Sequence, residues 1–223
     1  VTLMDLQNFL MKNTETVIEY TGNHLSLVLS AVLISLVIWV PVGLLLTKSD
    51  RWAPRVLNLA NTIFCIPSLS MFAVLVTIPF FGLGRKSALV ALVLYAMMPL
   101  IRSVYDGVKN VDHNVIEAAR GMGMSQRRIL REILVPLGLP IIFAGFRSTV
   151  VMTTGIAAIA TYIGERNLGR FISEGLVRSN TPMMVTGALI ISAIAIGLDT
   201  ILGVIETWIV PKGLRLNRKG GAS

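Results

Sequence analysis

Two charged residues stand inside long apolar runs, and chemistry is read from them first. Arg147 lies 11 residues past Pro136, and Asp199 lies 11 residues before Val210. At 1.5 Å rise per residue, each falls about 16 Å from one end of its run. A lone charge in hydrocarbon costs at least ~2.5 kcal/mol. The two are expected either to pair or to face one polar cavity. The alternative is that Arg147 pairs elsewhere and Asp199 bonds a backbone or hydroxyl group. Thr153 and Thr154 lie nearby, with hydroxyls that either line a path or bond their own helix.

No set of residues supports catalysis. There is no nucleophile–base constellation. There is also no Gly-x-x-x-x-Gly-Lys-Ser/Thr loop, which excludes ATP binding by a P-loop on this chain. Gly82-Leu83-Gly84 reads as a turn without the context of a phosphate site. His24 and His113 are isolated, and Met152, Met183 and Met184 read as flexible packing. No metal or other cofactor is expected. The single cysteine, Cys65, cannot form an internal disulfide. It lies in an apolar run, so a buried packing thiol is expected.

The elements that must position these residues are membrane spans. Charged residues are 14% of the 223, and hydrophobic ones 54%. An ordinary soluble domain carries roughly a quarter charged residues. A hydrocarbon core about 30 Å thick takes about 20 apolar helical residues to cross. Five runs fit: Leu25–Leu46, Val56–Phe81, Ser87–Ile101 (extending toward Gly107), Ile133–Ile163 and Met183–Val210. Pro67 interrupts the second run. It predicts either a kink or a broken helix, with a freed carbonyl that neighbours must satisfy. Residues 1–24 read as an amphipathic segment before the first span, without the features of a signal peptide. Residues 25–210 form the transmembrane domain, with a polar loop at about 106–132. Residues 211–223 read as a tail. Small residues four apart, at Ala144/Ser148, Ala160/Gly164, Ala188/Ser192 and Ala193/Gly197, suggest close packing within the subunit or across a dimer.

Basic residues set the orientation. The connections at one end of the spans hold 13 of the 20 Lys and Arg, and those at the other end hold six. The richer end is expected in the cytoplasm. The N-terminus is then outside and the C-terminus inside. The net charge of +8 reads as topology and contact with an anionic bilayer. Nucleic-acid binding is not expected, since no soluble basic domain is left to perform it.

The most patterned polar segment is DHNVIEAARGMGMSQRRILREILVP. Asn114–Arg120 favours a helix, Gly121 and Gly123 weaken it, and Ser125 is a good N-cap for a second helix through Gln126–Leu134. Helix, glycine turn and helix lie on the basic side and are tied at both ends to spans. The pattern alone leaves two readings open, an amphipathic loop lying on the membrane or a docking lever.

This loop resembles the signature of ABC importer permeases. It has Glu117-Ala118-Ala119, then Gly123, then Ile133, then Val135-Pro136; only Val135 departs, where the signature has Leu. The resemblance extends over nearly the whole chain and looks closest to permeases of osmoprotectant importers. It is carried by His24-Leu25, Val40-Pro41-Val42-Gly43, Ile66-Pro67-Ser68-Leu69, Leu94-Tyr95 with Pro99, and Gly121-Met122-Gly123-Met124. Ile163-Gly164 with Leu168-Gly169, and Pro211-Lys212-Gly213, carry it further. Glu165-Arg166-Asn167 departs, where such permeases look small and glycine-rich.

The resemblance implies an all-α polytopic bundle of the MetI-like permease fold, with about five spans and a cytoplasmic coupling helix. Glu117, Ala118, Ala119, Gly123, Ile133 and Pro136 would then couple to ABC ATPase subunits. Arg147, Asp199, Thr153 and Pro67 are candidates for the pathway or an intramembrane charge pair. The implied partners are the ATPase, a second permease chain (homologous or identical) and an extracytoplasmic substrate-binding protein, in a bacterial inner membrane. Cargo would be glycine betaine, carnitine, choline or a related compound, and the aromatic cage that holds a trimethylammonium group would belong to the binding protein. The alternatives are methionine or another amino acid as cargo, or a channel or ion-coupled carrier without an ATPase.

Overall fold

The computed structural model describes residues 3–210, and all regular structure among them is helical. The expected tail, 211–223, lies outside the described residues. In chain order the helices are α1 (Leu3–Lys12), α2 (Thr14–Leu46), α3 (Ala53–Cys65), α4 (Ser68–Thr77) and α5 (Arg85–Lys109). Then come α6 (His113–Gly121), α7 (Gln126–Ile129), α8 (Val135–Ala157), α9 (Gly169–Val177) and α10 (Thr181–Ile209). A π-helical turn, Leu130–Leu134, joins α7 to α8, and a 3-10 turn, Ala158–Ile163, ends α8. Four stretches are long and apolar enough to span a bilayer, and α3 with α4 makes a fifth if the pair counts as one broken span.

The bundle is built around α5. Of its most apolar window 67% is buried, against 6% for α10, which lies on the outside of the subunit. Leu27, Val28, Ala31 and Val32 of α2 share one core with Ala88, Ala91, Leu92 and Tyr95 of α5 and Val150 and Ala157 of α8. Small residues set the closest approaches. A Cβ on Gly138 would lie 2.4 Å from the Gly107 carbonyl oxygen, and one on Gly145 would lie 2.1 Å from Ser103 Cβ. Thus α5 and α8 touch backbone to backbone. Of the eight small residues at four-residue spacing, Ala160 is buried within the subunit, whereas Ala144, Ser148, Gly164, Ala188, Ser192 and Ala193 are exposed on the single subunit. Glycines, which bring backbones closer, take the internal contacts.

Pro67 breaks its run completely: the axes of α3 and α4 differ by 95°. A residue before proline is pushed out of the helical region, and Ile66 has φ −66° and ψ 129°. The Tyr95 hydroxyl of α5 donates to the Ile66 carbonyl, 2.5 Å away, and so satisfies a group freed at the break. Cys65, expected to be buried, is exposed. The reason is register. The buried residues of α3 are Ala53 and Ala60, and five residues beyond Ala60 the helix has turned well away from that face.

Three boundaries differ from the sequence expectation. The amphipathic segment 1–24 is not one unit. It contains α1 and the first turns of α2, which enter the span without interruption. The second loop helix is not separate from span four, because Gln126–Ile163 runs on as one stretch of 38 residues. The π turn ahead of Pro136, in which Val135 N–H reaches the Leu130 carbonyl, accommodates the proline without a break. Finally, α9 occupies what reads in the sequence as a plain loop after Gly164.

Candidate functional site

The loop between α5 and α8 is built by local capping. The Asp112 carboxylate accepts a hydrogen bond from the Asn114 N–H at 2.9 Å and starts α6. Gly123 then takes φ +76°, a left-handed conformation open to glycine at little cost. Ser125 Oγ accepts from the Arg128 N–H at 3.4 Å and starts α7. Ala119 is fully buried, whereas Glu117 and Ala118 are exposed. The Glu117 carboxylate lies 3.1 Å from His113 Nε2, one turn back. Ile133 and Pro136 are half-buried where α7 becomes α8. The loop therefore presents Glu117 and Ala118 outward and holds Ala119 inward. Only Asn110, Val111 and Asp112 separate α5 from α6, so α6 is short-tethered to the central helix.

Arg147 and Asp199 meet between α8 and α10. Arg147 Nε and Nη2 donate to the two Asp199 oxygens at 2.9 and 2.8 Å. A third residue joins them, since Arg147 Nη1 donates to Glu206 Oε2 at 2.6 Å. A Cβ at Gly203 would sit 3.3 Å from the guanidinium carbon, so the guanidinium lies close over this glycine of α10. Sequence reasoning missed Glu206 because it lies near the end of its run. The signal was there: it follows Asp199 by seven residues, two turns along the same helix face.

Thr153 and Pro67 are not gathered into this cluster. Thr153 is 1% exposed and its hydroxyl has no partner. It faces the subunit core and not an open surface. Thr154 bonds its own helix, at the Val150 carbonyl, 2.8 Å away. Pro67 is exposed at the break between α3 and α4.

A second polar network, which the sequence did not announce, ties the opposite end together. Buried His24 of α2 has Nε2 3.1 Å from the Thr154 carbonyl. Buried Asn167 donates to the Ala157 carbonyl at 2.9 Å and accepts from the Gly169 N–H at 2.7 Å. Arg85 reaches Glu165 at 3.1 Å and Ser26 Oγ at 2.6 Å. Burial pushes the Glu165 carboxyl above the ordinary glutamate range, and the Arg85 charge and hydrogen bond oppose it. The unusual segment Glu165-Arg166-Asn167 is thus a latch between α2, α5 and the end of α8. Among the described residues no three of His, Cys, Asp and Glu are grouped to hold a metal ion.

Comparison with known proteins places this geometry. A family model described as binding-protein-dependent transport system inner membrane component matches residues 39–213, a range that contains the whole α5–α8 loop. The chain is 35% identical to the carnitine transport permease protein OpuCB of Listeria monocytogenes, over 96% of this chain and 97% of that one. It is also 35% identical to the glycine betaine/carnitine/choline transport system permease protein OpuCB of Bacillus subtilis, over 94% and 96%. The osmoprotectant import permease protein OsmW of Salmonella typhimurium is again 35% identical, over 95% and 100%. Among solved structures, an inward-facing MetNI methionine ABC transporter matches with a TM-score of 0.80 at 20% identity, covering 90% of this chain and 99% of that one. An amino acid ABC transporter crystallised with histidines matches at 0.70 and 19%, covering 89% and 94%. At these identities the structures establish the fold alone.

Proposed function

This chain belongs to the family of binding-protein-dependent transport system inner membrane components, and from that premise we propose that it is the membrane-spanning subunit of an ATP-driven importer of a quaternary ammonium osmoprotectant. The observation that carries the cargo is the 35% identity, spread over nearly the full length of relatives named for carnitine, glycine betaine and choline. Methionine or another amino acid is the second reading. It has the fold neighbours in its favour, but at only 20% and 19% identity.

In this reading the ATPase docks on the loop, with Glu117, Ala118 and Gly123 at its contact. Two permease chains enclose the path, and a binding protein delivers cargo from the other side. The excess of basic residues supports a cytoplasmic side for the loop and the C-terminus. Motion of α6 reaches α5 through its three-residue tether. It reaches α8 through the backbone contact of Gly107 with Gly138, which lets the two spans move as one body. ATP is hydrolysed on the partner chain.

The test is rescue of a bacterial strain that lacks osmoprotectant uptake. The chain is expressed with its ATPase, binding protein and any second permease chain, at high salt. Growth should return with betaine, carnitine or choline in the medium. It should be lost again when Glu117→Arg uncouples the ATPase while the permease still inserts. Rescue that survives removal of the ATPase would sink the importer reading in favour of a channel or an ion-coupled carrier.

A further inference from the structure

Beneath α6, on the side away from Glu117 and Ala118, lies a cavity of about 580 Å³. Four basic side chains line it: Lys48 past the end of α2, Lys109 at the end of α5, Arg120 on α6 and Arg127 on α7. Five apolar side chains, Ile129 and Leu134 among them, and the neutral polar Thr47 and Gln126 line the rest, and no carboxylate is among the lining residues. The one acid bonded to a lining cation is exposed Asp50, 2.8 Å from Lys109 Nζ. Like charges around one hollow repel each other unless an anion or solvent intervenes.

Position narrows the ligand. The cavity lies where the long apolar helices α2 and α5 end, the height at which headgroups lie when helices of this length and hydropathy cross a bilayer. Its walls combine four basic and five apolar side chains with two neutral polar ones, which suits a phosphate group attached to something greasy better than a freely hydrated ion. Basic hollows between spans at the membrane edge are a general mode of binding anionic lipid headgroups. The two faces of α6 are also separate. Ile116 and Arg120 line the cavity and Ala119 is buried, while Asn114, Glu117 and Ala118, exposed as Arg120 also is, are not among the lining residues. A ligand in the cavity therefore leaves the proposed docking face free.

We propose that this cavity is a site for a phosphate-bearing anion, and that its occupant is the headgroup of an anionic phospholipid from the adjacent leaflet. Bound there, the phosphate bridges Arg120 of α6 to Lys48, Lys109 and Arg127 on the spans, and so restrains the docking helix from its membrane side. The proposal depends on the membrane placement of the chain, not on the identity of the cargo.

The assembled transporter is reconstituted in nanodiscs containing photoactivatable phosphatidylglycerol or photoactivatable phosphatidylcholine, and the labelled peptides are mapped. The glycerol lipid should label the segments around residues 47–48 and 126–134, and the choline lipid should label them weakly. Lys48→Gln, Arg120→Gln and Arg127→Gln should each weaken labelling roughly fivefold, from about 1 kcal/mol per basic residue near an anionic surface. Arg102→Gln, a basic residue outside the cavity, should leave it unchanged. Labelling that excess inorganic phosphate abolishes would assign the same site to a soluble anion. Equal labelling by the two lipids, equal loss in the Arg102 control, or no labelling of these segments in the assembled transporter would overturn the proposal.

Discussion

Gly138 of α8 packs so closely on Gly107 of α5 that a Cβ on it would lie 2.4 Å from the Gly107 carbonyl oxygen. The contact joins the two spans, α5 and α8, that the loop connects. A backbone carbonyl has no rotamer by which to yield. Gly138→Ala should therefore push α5 and α8 apart, at a cost of about 1–3 kcal/mol or more. Gly22→Ala is the control, because nothing lies within 4 Å of a Cβ there; it should be neutral or stabilise by about 0.5–1 kcal/mol. Thermal unfolding in detergent separates the two. Equal midpoints for both variants would contradict the close contact.

The Arg147 cluster has an asymmetry that can be measured. Arg147→Met leaves Asp199 and Glu206 facing each other without a cation in the membrane. The expected loss is roughly 2.5 kcal/mol or more. Asp199→Asn or Glu206→Gln leaves Arg147 one carboxylate partner, and each should cost less. The neutral triple variant should recover most of the loss, because a partly buried ion cluster stabilises little beyond its own desolvation. A cycle of unfolding midpoints checks this, and a triple variant worse than Arg147→Met would contradict it.

Tyr95→Phe removes the donor to the Ile66 carbonyl at the break between α3 and α4. An orphaned carbonyl away from water costs about 1–3 kcal/mol. Cys65, the only cysteine in the chain, lies one residue before Ile66 and is already exposed, so it reports on the break. Its rate of maleimide labelling should rise in Tyr95→Phe. An unchanged rate together with an unchanged unfolding midpoint would show that the hydroxyl does not hold the break.

Glu165 gives a pH signature. Its carboxyl is raised above the ordinary glutamate range, first by burial and against the pull of Arg85. A raised folded value means that the folded state holds the proton more tightly. Its contribution is fully present below the unfolded value and is lost as pH rises through the folded one. Glu165→Gln mimics the protonated form. It should match the wild type at low pH and be at least as stable at neutral pH, since Arg85 keeps its bond to Ser26. A variant that is less stable at neutral pH, with the gap closing on acidification, would reverse the sign.

Much of this was legible in the sequence because a bilayer imposes simple rules. Span length and charge placement yield the bundle, and equal counting from two helix ends brings Arg147 level with Asp199. What escaped depends on which face of a helix is buried, and composition does not carry that. Cys65 sits in an apolar run yet points outward. Ala144 and Ser148 have the spacing of a packing pair, yet Gly107 and Gly138 make the contact. The α9 helix is too short and too mixed in polarity to stand out beside long spans; its Gly169 and Gly175 let it pack against Ala158 and Met184, and Gly187 of α10 admits its Phe171. Glu206 escaped because an acid near the end of a run passes for a loop residue until its two-turn spacing from Asp199 is noticed.

An ATP-driven importer passes its osmoprotectant only when the ATPase acts on the loop of the membrane subunit. The direct measurement is uptake of radiolabelled glycine betaine, carnitine, choline and methionine into vesicles holding the full transporter, with and without ATP. The account predicts ATP-dependent uptake of at least one of the first three, none of methionine, and uncoupling by Gly123→Ala, which cannot hold φ +76° without strain of roughly 1 kcal/mol. Uptake that proceeds without ATP, or that carries methionine alone, would contradict it.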